Sequence, residues 1–155
     1  MSKAFTDEET PVPDGPEALP PRDRDLPITR AGLARLRAEL AELSAAGPSE
    51  IGARRARVLV QVLASVYVQE PSLVDGRVGF GTSVTVEDAD GRRTTYEIVG
   101  PDEVEPAKRR ISVASPVARA LLGQRAGDVV VLRRPRGDSE VTVVSVVVAA
   151  EEGRV

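Results

Sequence analysis

Two stretches of the chain carry apolar residues at the spacing of a coiled coil. The first consists of Leu33, Leu36, Leu40 and Leu43, whose separations of 3, 4 and 3 residues place them on one helical face. The second repeats these separations with Ala56, Leu59, Leu63 and Val66. Gly47 and Pro48 break the pattern between them, and two helices joined by so short a turn run antiparallel. The pattern predicts a short antiparallel coiled-coil hairpin over residues 28–70.

Hydroxyl side chains mark the expected start of each helix. Thr29 and Ser49 are suited to be N-caps, because their oxygens can accept hydrogen bonds from the backbone N–H groups of the first turn. The second arm is rich in β-branched residues, so we expect its helix to end near Ala64 and the chain to become extended from about Val66. Each arm then has about 16 residues and a length of roughly 24 Å.

Beyond Pro71 apolar and polar positions alternate, which is the pattern of β-strands. Strands are predicted over residues 83–87, 94–99, 111–113, 129–133 and 140–148. Between the third and fourth, Ser115, Pro116 and Gly123 have the positions of the N-cap, first residue and C′ residue of a short helix. The predicted fold class is α+β: the hairpin, then an antiparallel β-sheet domain over residues 71–150 covered by one short helix.

The two ends of the chain lack this patterning. Residues 1–27 contain six of the 12 prolines and seven acidic residues against three basic ones, which predicts a disordered acidic tail. Residues 151–155 are predicted to be frayed. The start of the chain is unlike a secretory signal and no apolar run approaches the roughly 18 residues of a membrane helix, so we expect a soluble cytoplasmic protein with no membrane partner.

Composition limits the chemistry that the chain can perform. The sequence contains no Cys and no His, which excludes disulfides, thiolate nucleophiles, imidazole bases and the usual zinc sites. We predict no catalytic residue, no resident metal and no cofactor. The net charge of −3 gives the whole molecule no general attraction for nucleic acid.

Five motifs in the predicted sheet domain resemble the C-terminal domain of the GreA/GreB transcript cleavage factors. They are Gly76-Arg-Val-Gly-Phe-Gly81, Ile98-Val-Gly-Pro-Asp-Glu103, Ile111-Ser-Val-Ala-Ser-Pro116, Ala118-Arg-Ala-Leu-Leu-Gly123 and Gly127-Asp-Val-Val130. A Thr-x-x-Gly-x-x-Arg-Leu-x-x-Glu-Leu helix start, Thr29 to Leu40, precedes them as it does in that family. The five motifs occur in the family's order and with sensible spacing.

The resemblance implies an FKBP-like C-terminal domain that docks on bacterial RNA polymerase at the rim of its secondary channel. In the family the hairpin enters the channel, and two carboxylates at its tip help to hold a catalytic Mg²⁺ while the polymerase itself cleaves backtracked RNA. Two carboxylates suit this task because a hard cation needs negative oxygen ligands.

The hairpin departs from the family pattern. Its tip, residues 44–50, has Glu50 as its single carboxylate, and each arm is about half the usual length. Such a hairpin, roughly 24 Å long, should stop short of the catalytic centre of the polymerase. We predict a polymerase-binding regulator without efficient cleavage stimulation, closer in layout to the Rnk-like members of the superfamily. The alternatives are a true Gre-type elongation factor and a channel-occluding inhibitor.

The resemblance also points to docking residues. The partner-binding motif of the family corresponds to Ser115 and Pro116, and Asp102, Glu103 and Arg119 are expected on the same edge. The alternative is that Ser115-Pro116 is only a helix N-terminus, which local geometry already explains. Many relatives have a polar residue where this chain has Ala114.

Arginines make the predicted hairpin basic: Arg30, Arg35 and Arg37 on the first arm, and Arg54, Arg55 and Arg57 on the second. They could face nascent RNA or an acidic channel wall, since clustered guanidinium groups neutralise phosphates. The alternative is a solvated face with ion pairs along or between the helices. An FKBP-like shape also raises prolyl isomerase activity as a remote alternative, although the domain offers only Phe80 and Tyr96 for an aromatic pocket.

Overall fold

The computed structural model describes residues 25–149, and its first two helices form a hairpin. Helix α1 spans Arg30–Ala45 and helix α2 spans Glu50–Ser65, with 16 residues each. Both predicted caps are present: Thr29 Oγ1 accepts from the Gly32 amide and Ser49 Oγ from the Gly52 amide, each at 3.0 Å. The hairpin and its arm length are therefore confirmed. The seam is only partly buried, because Leu59 is fully buried whereas the other seam residues, such as Leu36 and Leu43, are intermediate in exposure.

A small parallel sheet at the base of the hairpin was not predicted. Strand β1, Leu26–Ile28, pairs in parallel with strand β2, Val66–Val68, which directly follows α2. It therefore joins the start of α1 to the end of α2, and Ile28 is fully buried there. A strand of three residues with a proline at its centre shows no alternation of apolar and polar positions. The composition of the sequence therefore predicts residues 26 and 27 as part of the tail. Residues 1–24 and 150–155 lie outside the described residues, so most of both predicted tails is untested.

The second domain contains one five-stranded sheet in the order β5-β4-β3-β7-β6. Its strands are β3 (Thr82–Glu87), β4 (Arg93–Val99), β5 (Arg110–Ser112), β6 (Val129–Leu132) and β7 (Ser139–Val148). The prediction of a purely antiparallel sheet is wrong at one edge, because β4 and β5 run parallel. Two 3₁₀ turns, Pro101–Glu103 and Pro106–Lys108, and the left-handed residue Arg109 carry the chain back to the same end. Parallel neighbours require such a crossover connection.

One short helix covers the inner face of this sheet, as predicted. Helix α3 spans Pro116–Leu121, the Ser115 hydroxyl accepts from the Ala118 amide at 3.2 Å, and Gly123 ends the helix with a φ of +82°. Ala118 and Leu121 are fully buried against the aliphatic side chains of the sheet, which include Val84, Ile98 and Leu132. The α+β fold class is thus confirmed. Within residues 25–149, none of the helices combines the length and apolarity needed to cross a membrane.

Candidate partner-binding site

The parallel pairing of β4 and β5 brings the two halves of the predicted docking motif together. Val99 and Ser112 are partners at the ends of these strands. Three residues later the chain reaches Asp102 on one side and Ser115 on the other, so the first 3₁₀ turn and the start of α3 lie at the same edge of the sheet. An antiparallel pair would have sent these segments to opposite ends.

The predicted docking residues differ in how they present themselves at this edge. Pro116 and Arg119 are exposed, and Asp102 and Ser115 are half-buried. The Ser115 hydroxyl is occupied by the cap of α3, and at Ala114 the backbone amide donates to Ser112 Oγ at 3.1 Å. The exposed side chains of Pro116 and Arg119, together with the half-buried Asp102, are therefore the groups that this end of the sheet offers to a partner.

Glu103, in contrast, is directed into the protein. Its side chain is 1% exposed. One carboxylate oxygen accepts from the backbone amides of Thr29 and Gly100, both at 2.9 Å, and the other accepts from the Thr29 hydroxyl. Arg35 Nη2 lies 3.5 Å from that second oxygen. Glu103 therefore joins the N-terminus of α1 to the loop after β4, and a negative charge is favourable at that helix end.

Two glycines make room for this junction. A Cβ on Gly32 would lie 1.9 Å from Glu103 Oε1, and a Cβ on Gly100 would lie 1.8 Å from the Pro27 carbonyl oxygen. The glycine of the Thr-x-x-Gly helix start is thus required by a residue 71 positions further along the chain. The sequence contained this signal, but the partner of Gly32 could be found only in three dimensions.

Arg110 fixes the other end of the loop and was not predicted as important. Its side chain is 6% exposed, Nε donates to Glu97 at 3.1 Å, and Nη1 donates to Glu105 at 2.7 Å. A cleft of about 300 Å³ separates this loop from the hairpin, lined by Arg35, Glu39 and Arg55 on the hairpin and by Asp102, Val104 and Glu105 on the loop, among others. The loop that carries Asp102 is therefore held between a buried carboxylate, Glu103, and a buried guanidinium, Arg110.

The six hairpin arginines do not form one free basic face. Arg30 pairs with Glu70, Arg35 approaches Glu103, and Arg55 binds Glu39 through two hydrogen bonds of 2.6 and 3.0 Å. Arg37, Arg54 and Arg57 are exposed. At least half of the predicted face therefore serves contacts within the protein.

The pair formed by Glu39 and Arg55 links the two arms and should make a small pH-dependent contribution to stability. The hydrogen bond from Arg55 holds the pKa of Glu39 below its ordinary value of 4.5. A carboxyl with a lowered pKa in the folded state stabilises above its ordinary pKa, and this contribution is lost as the pH falls through the lowered value. Because both side chains are more than a third exposed, we expect less than about 1 kcal/mol at neutral pH.

Thermal melts of Glu39→Gln measured from neutral pH down to about pH 3 check this expectation. The melting temperature should fall slightly below that of the unmutated protein at neutral pH, and the difference should close on the acidic side of 4.5. Glu42→Gln is the matched control, since Glu42 is exposed on the same helix. A constant difference at every pH would contradict the role of the ion pair.

The hairpin tip is exposed and poor in charge. Glu50 is the first residue of α2, and Ile51 beside it is 86% exposed. Across residues 25–149 no three acidic side chains are grouped so that they could hold a metal ion. Phe80 and Tyr96 are both buried in the sheet domain.

Known proteins resemble both the sheet domain and most of the chain. Residues 73–147 match the family model for the C-terminal domain of the transcription elongation factors GreA and GreB. The transcription elongation factor GreA of Maridesulfovibrio salexigens is 33% identical over 151 aligned positions, which cover 79% of this chain and 94% of that protein. The chain belongs to the GreA/GreB family.

Other relatives in this family match over a shorter region. GreA of Methylococcus capsulatus is 50% identical over 72 residues, which is 46% of this chain and 46% of that protein, so the chain spans about half the length of this relative. Among solved structures, GreA factor homolog 1 (Gfh1) of Thermus thermophilus aligns at 29% identity with a TM-score of 0.43, covering 80% of this chain and 99% of the other.

Proposed function

We propose that this GreA/GreB family member is a regulator that binds bacterial RNA polymerase at the rim of the secondary channel and catalyses no reaction itself. The observation that carries the proposal is the family match of the sheet domain combined with the juxtaposition of the loop after β4 and the start of α3. Asp102, Ser115, Pro116 and Arg119 form the proposed contact surface. Glu103 supports that surface from inside rather than touching the partner.

The hairpin supports a role without efficient transcript cleavage. Arms of 16 residues reach roughly 24 Å, and their tip offers Glu50 as its single carboxylate. One carboxylate should hold a hard cation less tightly than two, because affinity depends on the number of charged oxygen ligands. The alignment with the Maridesulfovibrio protein spans 151 positions but covers only 79% of these 155 residues, so part of that relative has no counterpart here. A longer hairpin in the relative would account for the gap.

The exposed Arg37 and Arg57 give the hairpin a second proposed contact, with nascent RNA or an acidic channel wall. Arg30, Arg35 and Arg55, whose guanidinium groups face carboxylates within the protein, are left out of this contact. Occlusion of the channel remains the alternative consequence of docking, and the assay below separates it from cleavage.

The docking surface is tested by measuring the affinity of the purified protein for bacterial core RNA polymerase by biolayer interferometry. Replacing Asp102 and Pro116 together by alanine should weaken binding about tenfold, since loss of about 1.4 kcal/mol corresponds to that factor. The matched control is Asp138→Ala with Pro135→Ala, in the turn between β6 and β7, which should change affinity less than about twofold. Equal effects of the two double variants, or no binding by the unmutated protein, would reject the proposal.

The same preparation added to backtracked elongation complexes tests the role of the hairpin. We expect no shortening of the RNA beyond the intrinsic rate of the polymerase, and slower cleavage when a full-length Gre factor is also present, because both proteins would occupy one docking site. Stimulated cleavage that Glu50→Ala abolishes would show instead that the short hairpin reaches the metal. Binding without any effect on the competing factor would place the docking site elsewhere.

A further inference from the structure

We propose that the end of the sheet opposite the hairpin binds the phosphodiester backbone of nucleic acid, with Arg92 and Arg134 holding one phosphate between them. Strand β3 pairs with both β4 and β7, in the registers Glu87–Arg93 and Glu87–Thr142. The turn between β3 and β4 and the turn between β6 and β7 therefore lie side by side. The proposed contact surface around Asp102 and Ser115 lies at the other end of β4. This strand has seven residues, so at 3.3 Å each the two ends are about 23 Å apart.

Arginine and hydroxyl side chains from these two turns line a single recess of about 40 Å³. Its polar lining consists of Arg92 and Thr94 on one side, Arg134 and Ser139 on the other, and Asp88. At roughly 10–15 Å³ for each water-sized group, the recess has room for about three such groups, which is enough for the two non-bridging oxygens of a phosphodiester. Two guanidinium groups and two hydroxyls are hydrogen-bond donors suited to such an oxyanion.

The Arg134 side chain is oriented by a neutral group, and the turn that carries Arg92 is fixed by Asp88. Arg134 Nη2 donates to the Tyr96 hydroxyl at 3.0 Å, and Tyr96 is a buried core residue. Asp88 Oδ1 accepts from the backbone amides of Asp90 and Arg92, each at 2.9 Å, which fixes the turn that carries Arg92. Asp88 keeps its negative charge in the recess, so the guanidinium groups of Arg92 and Arg134 leave it with an excess of one positive charge.

Further arginines around the recess favour a polymeric ligand over a free phosphate. Arg93, Arg133 and Arg136 are exposed on the same two turns. Segments 87–93 and 133–138 together hold five arginines against four acidic residues, one of which, Glu87, is paired with Arg93. Arginines therefore exceed acidic residues by one in these two segments, whereas the whole chain has a net charge of −3. Tyr96 is buried, so it cannot stack on bases, and the contact should be independent of sequence.

Fluorescence anisotropy with a labelled DNA duplex of about 25 base pairs at low salt tests the inference. Arg92→Gln combined with Arg134→Gln should weaken binding about tenfold and lower the salt slope by about 1 to 2. The control is Arg77→Gln combined with Arg125→Gln, which removes the same charge from the opposite end of the sheet domain and should change affinity less than about twofold. Equal losses in both double variants, or no binding by the unmutated protein, would overturn the inference.

Tyr96→Phe provides a variant that keeps every charge and the aromatic core. Loss of the hydrogen bond that orients Arg134 should weaken duplex binding about threefold, with the salt slope unchanged. An affinity equal to that of the unmutated protein would mean that the recess is not the contact. Competition with inorganic phosphate is the last measurement. Weak competition at millimolar phosphate supports contacts with the nucleic-acid backbone. Displacement of the duplex by micromolar phosphate would instead assign the recess to a small phosphate ligand.

Discussion

Replacing Glu103 by alanine should lower the free energy of unfolding by about 3–5 kcal/mol. The substitution removes an acceptor shared by the Thr29 and Gly100 amides, and leaves the Thr29 hydroxyl and Arg35 without this carboxylate. Hydrogen bonds to a charged group contribute about 1.5–3 kcal/mol each, and buried donors left unsatisfied add to the loss. Chemical denaturation with far-UV circular dichroism measures the change.

Glu103→Gln separates charge from hydrogen bonding at this position. An amide oxygen can still accept from the two backbone donors, and its nitrogen can donate to Thr29 Oγ1, so the loss should be smaller, about 1–2 kcal/mol. The control is Glu70→Ala, which breaks an ion pair with Arg30 at the same hairpin base but with both side chains more than 60% exposed. It should cost less than about 1 kcal/mol. A loss for Glu103→Ala no larger than for Glu70→Ala would contradict the junction.

Replacing Gly32 by alanine should destabilise the protein by about 2–3 kcal/mol, the range of overpacking a well-filled site. Alanine in place of glycine normally stabilises a helix interior by about 1 kcal/mol, so the expected sign is reversed. The reason is the position of the new Cβ, 1.9 Å from Oε1 of a carboxylate that three hydrogen bonds hold in place, one on Oε1 and two on Oε2. The far end of a glutamate can move, but here its movement would break those bonds.

A double-mutant cycle shows whether the contact with Glu103 is responsible. In a Glu103→Ala background the obstacle is absent, so Gly32→Ala should become neutral or slightly stabilising, with a coupling energy of about 2 kcal/mol or more. Additive losses in the double variant would locate the cost of Gly32→Ala elsewhere, for example in the backbone of α1. Both single variants must first be shown to unfold in one cooperative transition.

The buried position of Glu103 is a feature that the sequence did not predict. The family resemblance predicts Glu103 on the docking surface, beside Asp102 and near Ser115 and Pro116. The structure places its carboxylate inside, where the start of a helix 71 or more positions earlier in the chain supplies its donors. No local pattern marks a glutamate that will meet a helix N-terminus, so its role could not have been read from its neighbours in sequence.

The elements that were predicted correctly share a local origin. Leucine spacing, the caps at Thr29 and Ser49, the breaker pair at Gly47 and Pro48, and the proline at the start of α3 each act within one or two helical turns. The alternation of apolar residues likewise located the long strands. In contrast, β1 and β5 have three residues each, and their pairing depends on partners that the chain reaches only after folding.

The sequence by itself determined the hairpin, its short arms, its sparsely charged tip and the α+β class, because these follow from periodicity and capping between near neighbours. Tertiary structure alone decided the parallel pairing of β5 with β4, which brings the segments of Asp102 and Ser115 to the same end of the sheet. It also decided the ion pairs that direct Arg30, Arg35 and Arg55 to carboxylates within the protein. It also decided that Arg92 and Arg134 share a recess. Register and burial set these contacts, and both depend on the whole chain being packed at once.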